Sequence, residues 1–292
     1  MKAFPRRAGT VSPGRRLVPI ILAVSLLAPA LPCSGLSIRL KLAGSYGRPA
    51  LDGVNRALGS WADSLKAQAT LTPGWGTTGG GEGRVRDAFG LEGEILIDFT
   101  RHFAVGVGSG YALAAASIED TDIGIVRTIG SFDYARPTTV SMTPLFFSAY
   151  ASFDLGRKLD VYIGTGGGRV RARYSASEAT KRTQVAAFSY TNEQLATGWG
   201  NMTQAVAGFT FAHDASLGLF VEGGYRWAKV DDLRNGSGKL YAYEEFRPDL
   251  DLWQAKIALF ENPPEGESFR SVGRAVVDGS GPVVKVGFLI KF

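Results

Sequence analysis

The chain has 292 residues, 45% of them apolar and 20% charged, with 38 glycines, one cysteine and two histidines. A single cysteine excludes a disulfide scaffold and any cysteine-rich zinc site. The formal charge is +5, yet five of the 32 basic residues (Lys2, Arg6, Arg7, Arg15 and Arg16) and none of the 27 acidic ones fall in the first 35 positions, so the remainder is electrically balanced and no basic nucleic-acid surface is expected.

In chain order, residues 1–35 read as a secretory signal peptide: arginines, an apolar run at 17–31 and a small-residue exit, with cleavage expected after Ala30 or Gly35. The run is too short to span a membrane and is interrupted by Pro19 and Pro29. From residue 36 onward the recurring pattern is period-2 alternation in segments of about ten residues, the length with which a tilted strand crosses a bilayer. Ile38, Leu40 and Leu42 alternate with Arg39 and Lys41. Residues 51–69 break the pattern: Val54, Leu58, Trp61 and Leu65 stand at helical spacing behind Asp52, a candidate N-cap. This helix would lie on the membrane interface or close the mouth of the sheet structure.

Strand spacing returns with Phe89, Leu91, Ile95, Ile97 and Phe99 set against Glu92, Glu94 and Asp98, and continues with Phe103, Val105, Val107, Tyr111 and Leu113. Residues 140–154, 159–174 and 199–211 are less regular candidates. Leu219, Val221, Tyr225 and Trp227 then oppose Glu222 and Arg226, and Val284, Val286, Phe288, Ile290 and Phe292 oppose Lys285. The total is about eight strands. Connections at 100–102, 156–158 and 212–216 are short, whereas those at 47–87, 118–138, 175–198 and 230–281 are long. An up-and-down barrel with short turns on one side of a membrane and long loops on the other produces that alternation. The last loop carries Tyr241, Tyr243, Phe246, Trp253 and Phe260, which would serve recognition, pack as a lid, or add a hairpin and make the barrel ten-stranded.

The charges orient the faces. Arg39, Lys41, Glu92, Glu94, Asp98, Glu222, Arg226 and Lys285 oppose the aliphatic and aromatic rows. Turned inward they form a lumen network of both signs, leaving the apolar rows for lipid. Closure into a barrel also removes sheet edges, which hydrocarbon cannot satisfy.

The ending, with Gly287, Ile290 and the terminal Phe292, resembles the C-terminal assembly signal of bacterial outer-membrane proteins, although Val286 stands where a polar residue is usual. Over residues 36–292 the chain resembles, in pattern rather than motif, the small outer-membrane barrels such as the OmpA transmembrane domain, OmpW and opacity-type proteins. The resemblance implies an all-β, eight-stranded antiparallel transmembrane barrel in a Gram-negative-type outer membrane. Its surroundings would be outer-membrane lipid and lipopolysaccharide, its last strand would be read by the barrel-assembly machinery, and it would be monomeric. The expected role is a scaffold presenting outer loops to an unknown extracellular ligand. The rival, suggested by the likeness to OmpW, is a narrow channel for small hydrophobic molecules.

Little else carries chemistry. The glycine runs at 106–110 and 164–168 lack the Gly-Lys-Ser/Thr and the following helix of a phosphate loop, so no cofactor is expected, and they are read as strand glycines that relieve crowding. His102 and His213 fall in short turns, away from any outer-leaflet substrate, and no enzyme is expected. Glu119, Asp120 and Asp122 read as an ordinary acidic loop. Arg169, Arg171 and Arg173 alternate where the fifth strand should leave the outer leaflet, and are candidate contacts for lipopolysaccharide phosphates.

Overall fold

The structure is a computed structural model that describes residues 37–71, 84–126, 130–156, 158–182, 188–211 and 216–292. The leader at 1–35 and His213 lie outside the described residues.

Eight strands close into a ring: β1 (Ser37–Gly47), β2 (Ala88–Thr100), β3 (Phe103–Val126), β4 (Gly130–Gly156), β5 (Leu159–Arg182), β6 (Phe188–Phe211), β7 (Leu217–Val230) and β13 (Gly281–Lys291). Each is antiparallel to its neighbours, and β1 pairs with β13, Leu40 opposite Ile290, to complete the circle. The first strand can sit this close to the last because position 287 is glycine. A Cβ there would meet the Leu42 carbonyl oxygen at 1.9 Å.

The wall is uneven. β3 to β6 run 24–27 residues, against 11–14 for β1, β2, β7 and β13. Because β7, β13, β1 and β2 are consecutive in the ring, one side of the barrel is low and the other tall. The connections expected at 118–138 and 175–198 are for the most part strand: β3 and β4 stay paired to Val126 and Gly130, and β5 and β6 to Arg182 and Phe188. Glu119, Asp120 and Asp122 therefore belong to β3 and not to a loop.

Both long connections of the low side fold back over the barrel. The first contains helix α1 (Asp52–Leu71). Its first hydrogen bond runs from the Asn55 N–H to the Leu51 carbonyl, so Leu51, at φ 44°, occupies the N-cap. Asp52 is not the cap but sits in the first turn, where its carboxylate still complements the helix dipole. The second connection forms β8 (Arg234–Asn235), β9 (Gly238–Arg247), β10 (Leu252–Phe260), β11 (Phe269–Arg274) and β12 (Val277–Asp278). β9 pairs with β10 and β11 in a small sheet, attached to the wall where Arg234 meets Thr197. This sheet is a lid and does not enlarge the ring. The ten-stranded option therefore fails: the added hairpin pairs above the barrel while β7 and β13 remain direct partners.

Polar side chains bolt the helix in place. Ser60 accepts the Ala255 N–H at 2.8 Å, and Gln254 of β10 donates to Ser64 at 2.9 Å. The Asn55 amide exchanges two hydrogen bonds with the Val85 backbone ahead of β2. In the lid, the Arg234 fork holds the Asp232 carboxyl below its usual range, assisted by Arg274.

Candidate functional site: the filled lumen and its outer wall

The interior has two layers. The lower one, toward the β2–β3 turn, is ionic. Arg226 binds Glu92 at 2.7 Å, Glu92 binds Lys285 at 2.9 Å, and Lys285 binds Glu222 at 3.0 Å. Glu222 also accepts from Lys41, and Lys41 stands 3.9 Å from Glu94. Signs alternate along this chain of six, three cations and three anions. Arg39 and Asp98 form a separate pair at 3.0 Å, less buried than the six. Lys41, though in register with Glu94, makes its shortest contact across the lumen with Glu222 of β7.

Neutral groups complete the layer. Tyr150 donates to Glu94 at 2.8 Å, Tyr162 donates to Glu222 at 3.2 Å, and Arg226 donates to Gln204 at 3.1 Å. The Lys41 ammonium lies 4.7 Å from the Tyr150 ring and 4.7 Å from the Phe220 ring, where the aromatic faces attract it. Ser148, Tyr150, Tyr162 and Gln204 do not stand out in the sequence. They lie on the inward phase of β4, β5 and β6, and the phase of those strands is the signal that would have found them. The glycines of β3 and β5 make room for this layer. A Cβ at Gly106 would meet the Glu94 carboxylate at 2.5 Å, and one at Gly164 would meet the Tyr150 ring at 2.4 Å.

The upper layer is apolar. Ala114, Val140, Met142, Val170, Ala172 and Tyr174, on the inner face of the tall wall, form one cluster with Leu51, Val54, Leu58 and Leu65 of the helix segment and Leu240 and Ile257 of the lid. Of the two places open to the helix, it takes the barrel mouth. Arg136 enters this layer with its guanidinium 4.6 Å from the Trp61 ring. Two small pockets touch the lumen, about 30 Å³ beside Arg39 and Tyr162 and about 40 Å³ beside Arg226 and Met142. Each is roomy enough for only one or two water molecules.

The outer surface reverses the order of the inner one. Around the lower layer it is apolar and exposed: Phe89, Leu91, Ile95, Phe147, Leu145, Ile163, Phe209, Leu219, Val221, Val286 and Phe288 all face outward. Around the upper layer it turns polar on β4 and β5, with Thr143, Arg169, Arg171 and Arg173 exposed opposite buried Met142, Val170, Ala172 and Tyr174, while Tyr111 and Leu113 of β3 and Leu195 and Trp199 of β6 keep apolar groups on the outside. β4 and β5 are thus apolar-outside below and apolar-inside above. Contiguous exposed apolar surface of this kind is rare on soluble monomers.

Of the remaining residues singled out in the sequence, Ile290 pairs with Leu40 and Leu217 at the β1–β13–β7 seam, and Phe292 donates its N–H to the Ile38 carbonyl. His102 sits in the β2–β3 turn with Nδ1 3.0 Å from the Ser152 carbonyl oxygen. These contacts place the residues and assign them no chemistry.

The geometry defines a class: an eight-stranded antiparallel β-barrel with an apolar girdle, an ionic lower core and an apolar upper core under a lid. No protein-family model matches the chain, and no curated protein matches it. Among solved structures it is similar to the outer membrane protease OmpT from Escherichia coli, at 9% sequence identity and a TM-score of 0.34, over 91% of this chain and 99% of that one. A likeness of that strength carries no argument about activity.

Proposed function

We propose that the chain is a plugged outer-membrane barrel, exported by a cleaved signal peptide, whose work is to hold a folded lid above the membrane as a surface for interaction. The observation that carries this reading is the double filling of the lumen. The interior of an eight-stranded barrel is just wide enough for side chains to fill or for one small ligand. Here those side chains are paired ions below, and a helix and a small sheet occupy the space above. The apolar girdle supports the membrane assignment, because hydrocarbon satisfies it and water does not.

The narrow-channel alternative finds less support, since a solute would have to displace both layers. The lid supplies an ordered surface, with Trp253 between Phe246, at a centroid distance of 5.3 Å, and the Arg270 guanidinium at 4.1 Å. Planar-bilayer recording tests the reading. The protein is expected to give a flat baseline with, at most, rare small openings. Steady ohmic conductance, or liposome swelling with small sugars, would establish an open pore and reject the plugged scaffold.

A further inference from the structure

Directly above the girdle, the outer face of the tall wall is concave. An open depression of about 520 Å³ spans β3 to β6, lined by Arg171, Arg173 and the hydroxyls of Ser141, Thr143 and Thr197, with Leu113 and Leu195 at its two sides. The register orders them in two adjacent outward rows. Thr143, Arg171 and Trp199 lie across β4, β5 and β6 in one, and Ser141, Arg173 and Thr197 in the next. Neighbouring strands are about 4.8 Å apart, and alternate residues of one strand about 7 Å. The two guanidinium groups are therefore rooted about 7 Å apart, each flanked by a hydroxyl. Among the described residues, neither Arg171 nor Arg173 makes an ion pair. The acid on the outward phase of β6, Glu193, lies beyond Leu195 at the far rim.

One row below, Arg169 pairs with Leu145, and its guanidinium lies 5.6 Å from the Trp199 ring. Leu145, Phe147 and Ile163, all more than half exposed, continue the surface downward as girdle. The depression thus has a cationic, hydroxyl-rich floor between apolar sides at Tyr111, Leu113 and Leu195, and opens onto aliphatic surface at the bottom. Its volume is that of a small-ligand site.

We propose that this depression docks the phosphorylated sugar head of a glycolipid from the surrounding leaflet. Arg171 and Arg173 grip phosphate, the serine and threonine hydroxyls meet the sugar, and the acyl chains lie on the girdle at Leu145, Phe147 and Ile163. Guanidinium suits the phosphate because it offers two parallel donors in a fixed fork. The continuity of cationic surface with apolar surface selects a membrane-anchored phosphate over a dissolved one. The inference rests on the membrane reading given above, and adds to it a specific lipid and a specific face.

The test uses the full chain reconstituted in phosphatidylcholine vesicles with lipopolysaccharide, or with the same lipopolysaccharide stripped of phosphate. Lipid retained per barrel is measured after extraction into mild detergent. The unaltered chain is expected to retain the phosphorylated form, to lose it as salt is raised, and to keep it against excess inorganic phosphate. The double variant Arg171→Gln/Arg173→Gln should bind at least tenfold more weakly and Arg173→Lys by an intermediate amount, while Arg101→Gln at the opposite end leaves binding unchanged. Heat-modifiable gel migration verifies that each variant is a folded barrel. Equal retention by the double variant, equal retention of the dephosphorylated lipid, or displacement by inorganic phosphate overturns the lipid site alone. A chain that enters no vesicle and migrates without heat modification overturns the membrane reading, and the site with it.

Discussion

Glu222→Gln should cost the barrel about 3–5 kcal/mol, the penalty for breaking a buried ion pair by removing one partner. Glu222 is 1% exposed and bridges Lys41 and Lys285, themselves 6% and 4% exposed. Neutralising it leaves two ammonium groups to share Glu92 and Glu94 in a space without bulk water. The companion Glu222→Leu/Lys285→Met removes one charge of each sign. It leaves Arg226 with Glu92 and Lys41 beside Glu94, so a large part of the loss should be recovered. Urea titration in detergent micelles, read by gel migration without heating, measures both. A loss below about 1 kcal/mol for Glu222→Gln, or additive losses in the double variant, would mean that water screens the cluster and that it does not fill the lumen.

Leu58→Asp should release the helix while leaving the barrel closed. Leu58 is 2% exposed within the apolar upper layer, where truncation alone costs about 2–5 kcal/mol and an unpaired carboxylate costs more. The hydrogen bonds at Ser60, Ser64 and Asn55 are each worth about 1 kcal/mol net and are too few to hold the helix against that. Trypsin should then cut at Arg56 and Lys66, which the docked helix protects, while the eight-stranded ring keeps its heat-modifiable migration. Unchanged protease resistance would show that the helix does not depend on the barrel interior for its place.

These two sites differ in how far the sequence announces them. β1, β2, β7 and β13 are plain in the sequence because one face of each is aliphatic or aromatic and the other carries ions. Arg39, Lys41, Glu92, Glu94, Asp98, Glu222, Arg226 and Lys285 all lie on these four strands. The neutral partners lie on β4 to β6, where Ser148, Tyr150, Tyr162 and Gln204 stand among glycines such as Gly164 without a charged row to mark the inner face. Strand alternation shows which face a residue occupies, but not which residue it meets across a closed ring.

The tall wall was harder to read for a related reason. On β4 and β5, near Leu145 and Arg169, the outward face changes from apolar to polar, and the inward face from polar to apolar. A period-2 pattern that inverts midway averages to a weak one, so 140–154 and 159–174 look like irregular strands. The inversion has one cause: outside lipid, the outer face meets water, while the inner face gains an apolar partner in the helix and lid. The 3.6-residue spacing of Val54, Leu58, Trp61 and Leu65 reveals the helix itself, but an apolar stripe does not name the surface it buries against. That surface, formed by Val140, Ala172 and Tyr174, is the same inverted stretch that the sequence conceals.

Which way the side chains of the lower barrel point decides whether the aliphatic rows meet lipid or water, and a nitroxide scan along β7 measures it directly. Labels placed one at a time at positions 217–227 in the reconstituted protein are challenged with oxygen, which concentrates in lipid, and with a water-soluble nickel complex. Oxygen collisions are expected to peak at 219, 221 and 225 and to fall at 220, 222 and 226, with nickel collisions low at all six. The opposite phase, or nickel collisions that peak at 219, 221 and 225, would place the aliphatic rows in water and contradict the account.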